Sequence, residues 1–507
     1  MPGPEKYKQS QMKKIIVIAD VIMSLLAVGI IYADLRFFAI PKWIGLLSMV
    51  VLLALIVWEW IKEKRLWGKV LFTVINIVVL FVVFVGTYCN PYRNSIWFYA
   101  NPDYACQEYG TELTYDEAKA DLDQAMKYLK NDHPLFIHGL TVDVQDLYDQ
   151  ALAHLQEKEN ISINDLSREI EMIFSSLGDG HTHVGANYPE YHYLKYIYGH
   201  NLAKDELVAV NGYSLEEIFE ANRNAFSYET EEYGMRYIEM YLQSIEDLDY
   251  LGFDVEDGIT YTYMDREGSL FDETYYADDF LTNEEYWEYN DPDNTRNSES
   301  NDAYEFVKFE IMESDNLAAL ILYSCEYNDE YKECLANMFR EVKEKGIENV
   351  CVDLRGNGGG NSLVADEFIH YLDVNSYQTW GQDWRLGLLM ISSKGSTHTN
   401  KKYTDLLFDG DVYVLTSTDS FSSAMDFAML ISDNNLGKIV GEPSGNKPRS
   451  YGDISVFKLK NSGLVMQVST KKWYRVDESI TDELIEPDIA CDSEEALQVL
   501  VEYLRGQ

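Results

Sequence analysis

Basic residues are scarce in this chain of 507 residues. It holds 41 Lys and Arg against 85 Asp and Glu, a formal net charge of −44. The shortage is local. Residues 1–89 carry 10 basic and 5 acidic side chains, so the remaining 31 basic residues face 80 acidic ones. A polyanion of that density repels phosphate backbones and anionic lipid surfaces, which excludes nucleic acid as a partner. Cysteine is also sparse. Cys89, Cys106, Cys325, Cys334, Cys351 and Cys491 show no CxxC spacing, so neither a zinc site nor a dense disulfide framework follows. Cys325 and Cys334 are close enough in sequence for one bridge. No internal repeat, GxxxxGK[ST], GxGxxG or DxDxDG loop is present, which argues against nucleotide binding and EF-hand calcium chemistry.

Charge is nearly missing from three apolar stretches at the start, 15–33, 44–61 and 70–89, which hold only Asp20 and Glu59. Each approaches the roughly 20 residues needed to cross a hydrocarbon core as a helix. Lys6, Lys8, Lys13 and Lys14 precede the first stretch, and Lys62, Lys64, Arg65 and Lys69 separate the second from the third. Only Arg36 and Lys42 lie between the first two. The positive-inside bias predicts a multi-pass cell-membrane protein with a cytoplasmic N-terminus, three spans and an extracytoplasmic remainder. The lipid bilayer is thus an expected partner through residues 15–89. Two later apolar stretches, and no clear small-x-small cleavage site, argue against a signal peptide.

After residue 90, "TYDEAKADLDQAMKYLKNDHP" reads as a helix opened by a Thr114/Glu117 capping box and ended by Pro134. "INDLSREIEMIFSSLGDGHTHVG" reads as a second helix, stopped at Gly178 and followed by a loop with Asp179, His181 and His183. "DELVAVNGYSLEEIF" reads as strand, Asn-Gly turn and helix start. Residues 225–315 are acidic and weakly periodic, with 290–302 expected as an exposed loop. From 316 strands alternate with helices, which predicts an α/β unit. The expected organisation is a 1–89 membrane anchor, a 90–187 helical subdomain, a 188–315 insert and a 316–507 α/β core.

Two stretches of that core raise chemistry. In "VLTSTDSFSSAMDFAML" a strand gives way to a helix amid Ser417, Ser420, Ser422 and Ser423. A helix N-terminus offers free N–H groups to an oxyanion, so a serine there suits nucleophilic attack, although serine is also a favoured plain cap. In "DLRGNGGGN" successive glycines after a buried strand allow close backbone approach to a ligand. "GDGHTHVG" supplies an imidazole able to meet a distant serine, because triads are spatial rather than sequential.

Taken together, "LGDGHTHVG", "VCVDLRGNGGGNS", "VYVLTSTDSFSSAMDFAMLISD", "KIVGEPSGNK" and the closing "IEPDI" resemble the tail-specific and C-terminal-processing serine peptidases and their tricorn-like relatives. The resemblance implies a ClpP/crotonase-like spiral core of α/β class with a PDZ-like insert, acting on peptides or proteins through an acyl-enzyme without metal or cofactor. It places the nucleophile at Ser422 and the oxyanion donors at Ser423 and at Gly358 or Gly359. Two bases are open. The tricorn-like pattern implies His181, supported by Asp179, with an acidic third member at Glu478 or Asp477. The processing-protease pattern implies Lys447, with Asp433 at the intermediate place. Where the pattern has an acidic residue three after the nucleophile, this chain has Met425, with Asp426 next. A silent peptide-binding receptor and a hydrolase of other esters or amides are the alternatives on the same fold.

Overall fold

The computed structural model describes residues 18–19, 21–30, 42–62, 65–89, 95, 98–99, 102–195, 206–265, 267–290 and 306–506. Among the described residues two helices are long and apolar enough to cross a membrane: Lys42–Ile61, and Leu66–Cys89, whose last turn widens into a π-helix. Their apolar windows are 28% and 11% buried, so they are not core helices of a soluble domain. Of the first expected span, the longest described part is the Val21–Ile30 helix, which lays Ala27 against Leu52 and Val83. The rest of that span, and nearly all of the 290–302 loop, lie outside the described residues.

The Tyr115–Asp132 helix opens on the full Thr114/Glu117 capping box. The Ile163–Ser175 helix buries Leu166, Ile170, Ile173 and Phe174, and the chain turns at Gly178 with φ +60°. Both helices and Val142–Glu157 share one core, and Phe457, Leu464, Met466 and Val468 complete it from the far end of the sequence.

The α/β unit is a six-stranded sheet in the order 307–312, 317–322, 349–353, 411–416, 438–441, 489–490. Its first pair is antiparallel and the rest are parallel. Near-continuous apolar strands follow from cover on both faces. Helices Asp329–Lys345, Leu363–Ile369 and Ser423–Asp433 pack on one face, and the Ala496–Arg505 helix packs on the other.

A second sheet, all antiparallel, was not anticipated from the sequence. Strands Tyr451–Lys458 and Val465–Trp473 pair along their length. The far side of Val465–Trp473 takes His183–Gly185 at one end and Gln382–Leu386 at the other. This pairing carries the His181 loop to the α/β unit. A third sheet, from strands within 206–275, forms an insert with its own core around Phe226, Leu248 and Tyr261. Its first hairpin turns on Asn211 and Gly212, both at positive φ. No disulfide joins Cys325 to Cys334.

Candidate active site

Ser422 occupies the N-cap of the Ser423–Asp433 helix, yet its side chain makes no capping bond. Its backbone sits at φ +55°, ψ −121°, a conformation that costs a non-glycine residue on the order of 1–3 kcal/mol. The surroundings impose it. Phe421 N–H donates to Asn357 O at 2.9 Å, Ser422 N–H to Asn446 Oδ1 at 2.8 Å, and Asp426 N–H to Ser422 O at 2.9 Å. A sharp strand-to-helix turn of this kind exposes a serine Oγ in front of a helix N-terminus. The neighbouring serines are engaged otherwise. Ser420 Oγ donates to Leu354 O at 2.8 Å, Ser417 Oγ accepts from Gly356 and Asp419 N–H, and Ser423 Oγ donates to Gly360 O at 2.9 Å.

Ser422 and His181 line one cavity of about 340 Å³, together with Ser423, Gly360, Asn446 and Asp426. The His181 ring packs 4.7 Å from the ring of Phe421, the residue before the nucleophile candidate. His181 Nδ1 faces Asp179 Oδ1 at 3.8 Å and Glu229 Oε1 at 3.9 Å, and its Nε2 lies on the side of Gly452 in the cavity wall. Neither ring nitrogen has a hydrogen-bond partner among the described residues. Burial lowers the His181 pKa and the charge of Asp179 partly opposes it, so the imidazole is poised as a neutral base.

Asp179 is fixed in turn. Burial opposes its charge, but a hydrogen bond from His133 and the charges and donors nearby hold it down at about 2. His133 Nδ1 accepts from Leu135 N–H, which leaves Nε2–H to donate to Asp179 Oδ2 at 3.1 Å. Asp179 also accepts from His181 N–H and Thr182 Oγ1.

Glu229 and Asn446 had no role assigned from the sequence. Glu229, just before the Glu231–Tyr241 helix, accepts from Lys447 N–H at 2.9 Å and Gly180 N–H at 3.4 Å. Burial and the Asp179 charge push its carboxyl up to about 8. Asp426 is raised to about 7 by burial alone.

The other predicted residues are placed elsewhere. In "SGNK" it is Asn446 that reaches the nucleophile candidate, while Lys447 Nζ turns outward to Glu483 at 2.8 Å. Asp433 is buried in an ion pair with Arg475 at 3.0 Å. Glu478 is exposed, and its carbonyl accepts from Arg449. Gly359 N–H is taken by Asn357 Oδ1 at 2.9 Å, and it is Gly360, rather than Gly358 or Gly359, that lines the cavity. Gly359 is still required as glycine. At φ +103° an added Cβ would stand 2.7 Å from Ser422 Cβ and 2.8 Å from Phe421 O.

Asp179, His181 and Glu229 each offer one ligand atom within 4.8 Å of the others, the one metal-ligating group among the described residues. The hydrogen bonds above already engage both Asp179 oxygens and both Glu229 oxygens.

The raised Glu229 carboxyl sets a test. At pH 4 it is protonated in the folded and unfolded chains alike. Above its ordinary value of 4.5 the unfolded chain releases the proton, while the folded chain holds it until about 8. The wild type therefore loses stability across that window. Glu229→Gln has no proton to lose, so its thermal midpoint should match wild type near pH 4 and exceed it increasingly toward pH 8. A constant offset at all pH values contradicts the assignment.

A strained serine at a helix start that shares a cavity with a largely buried imidazole is the arrangement a serine hydrolase uses. Residues 316–491 match Peptidase family S41, so the chain carries a domain of that family of serine-type peptidases. Mature CPAF complexed with lactacystin is similar at 12% identity and TM-score 0.57, over 77% of this chain and 97% of that one. A second structure of mature CPAF gives 13% identity and TM-score 0.56, over 77% and 96%. The photosystem II D1 C-terminal processing protease aligns over 77% and 98% at 11% identity, with a TM-score of 0.40. Comparison with curated proteins gives no match.

Proposed function

We propose that the protein is a membrane-anchored serine endopeptidase whose Ser422 forms the acyl-enzyme and whose His181 is the general base. The observation that carries this is the uncapped Ser422 at φ +55°, opening into the same cavity as His181. Asp179 and Glu229 flank His181 Nδ1, and the Asp179 carboxylate stabilises the imidazolium that forms during the reaction. Ser423 N–H and Gly360 N–H hold the oxyanion. In the first step Ser422 Oγ bonds to the substrate carbonyl carbon while its proton passes to His181 Nε2. The imidazolium then protonates the departing amine, and water repeats the sequence on the ester.

The anchor reading rests on two long, mostly uncovered apolar helices. Their domain-facing ends are Lys42 and Cys89. The opposite turn carries Lys62, Lys64, Arg65 and Lys69, which supports a cytoplasmic turn and an extracytoplasmic peptidase. A third span through 15–33 and a spiral core with a peptide-binding insert complete the proposal.

The test is turnover of an unstructured peptide by the full chain with hydroxylamine present. An acyl-enzyme partitions to a peptidyl hydroxamate as well as to the acid. Turnover of esters without peptides would favour the broader hydrolase, and no turnover of either would favour the receptor.

A further inference from the structure

The Gln382–Leu386 and Leu389–Ser393 strands form a hairpin at the edge of the second sheet, joined by a two-residue turn at Gly387 and Leu388. Leu388, Leu389 and Ile391 are 69%, 43% and 45% exposed. Between Arg385 and Lys394 there is no charged residue, in a chain one-quarter of whose residues are charged. An exposed apolar edge strand of this kind invites self-association unless something covers it.

The position of the tip says what covers it. Gly387 packs on the backbone at the end of the Leu66–Cys89 helix, where an added Cβ would stand 2.7 Å from Cys89 O. At the same level the Lys42–Lys62 helix begins. Tyr88 donates to Lys42 O at 3.2 Å, and Lys42 and Arg385 are the two cations whose charge acts on buried Asp132. Trp43 there is 64% exposed, whereas Trp58, Trp60 and Trp67 cluster around the far turn, the arrangement of two aromatic belts at two membrane surfaces. The hairpin tip therefore lies level with the end of the span.

We infer that the Gly387–Ile391 tip inserts Leu388, Leu389 and Ile391 into the outer headgroup layer of the bilayer, as a second, peripheral membrane contact of the peptidase. This rests on the membrane-anchor reading above. The hairpin strand continues into the cavity wall, since Trp384 pairs with Lys471, and Lys471 and Trp473 line the cavity. At about 3.3 Å per residue, the wall stands roughly 13 Å from the tip. A seated hairpin thus holds the active site over the membrane surface, within reach of substrate segments that emerge from the bilayer.

The test uses the full chain in phosphatidylcholine vesicles, with Cys334 and Cys491 replaced by serine because the other four cysteines are buried. A nitrobenzoxadiazole label is placed by Leu388→Cys, by Ile75→Cys within the span, or by Gln498→Cys on the C-terminal helix. Lipid carrying a doxyl group near the headgroup supplies the quencher. The inference expects a blue-shifted Leu388→Cys label, quenched within about two-fold of the Ile75→Cys label, and an unquenched Gln498→Cys label. If the Ile75→Cys label is quenched and the Leu388→Cys label behaves like Gln498→Cys, the inference is overturned and the anchor stands. A blue shift at 388 without lipid quenching means protein covers the tip, which also overturns it. If the Ile75→Cys label is not quenched, the anchor reading fails and the inference falls with it.

Discussion

Ser422→Ala should lower peptide turnover by at least about 1,000-fold while leaving the thermal midpoint close to wild type. The size follows from the chemistry, because without Oγ there is no acyl-enzyme, and only substrate binding and the oxyanion donors remain. The small stability effect follows from the structure. The Ser422 side chain caps nothing, and its strained backbone is held by main-chain and Asn446 contacts that alanine keeps. The neighbouring serines supply the contrast. Ser420 is fully buried and bonded to Leu354 O, so Ser420→Ala should act mainly on stability. Ser423→Ala loses the bond to Gly360 O but keeps its N–H, so it should retain activity. Full turnover by Ser422→Ala, measured on a folded protein, sinks the nucleophile assignment.

The second large effect separates the two candidate bases. His181→Ala should reduce acylation by roughly 100- to 10,000-fold, the range of general acid–base catalysis. Lys447→Ala should leave the rate within about three-fold, because its ammonium is exposed and paired with Glu483 away from the cavity. The pH profile adds a signature. Burial lowers the His181 pKa, so the wild-type rate should rise through a single ionisation below histidine's ordinary value of about 6.5 and be flat through neutrality. A base made of lysine, whose ordinary pKa is about 10.4, would put that rise on the other side of neutrality. A large loss in Lys447→Ala with His181→Ala near wild type would falsify this order.

How much of this was legible beforehand depended on range along the chain. Local signals read true. The Thr114/Glu117 box, the stop at Gly178, the Asn211-Gly212 turn and the alternating strands and helices read at 317–369 and 411–441 formed where capping, turn chemistry and periodicity put them, whereas the four strands between 376 and 399 went unread. Ser422 and His181 also meet in one cavity. What the sequence hid was set by distant pairing. The His181 loop is held at the site because His183, two residues on, pairs with Gln467, and nothing near either residue announces the other. Glu229 was invisible for a different reason. Among 85 acidic residues one carboxylate carries no mark until the fold buries it against His181. Lys447 remained open in the sequence because a motif fixes a position along the chain and not a side-chain direction. Asn446 turns inward and Lys447 turns out to solvent. Gly359 is similar, since its glycine is required by Ser422 but its N–H is already spent on Asn357.

The central claim is that one serine, at the start of one helix, is acylated. Its most direct measurement is mass-spectrometric peptide mapping of the folded, full-length protein after reaction with a fluorophosphonate. A single stoichiometric adduct on Ser422, formed quickly at pH 7 in wild type and slowly in His181→Ala, is the expected result. An adduct on any other serine, or no adduct in a protein that still hydrolyses peptides, contradicts it.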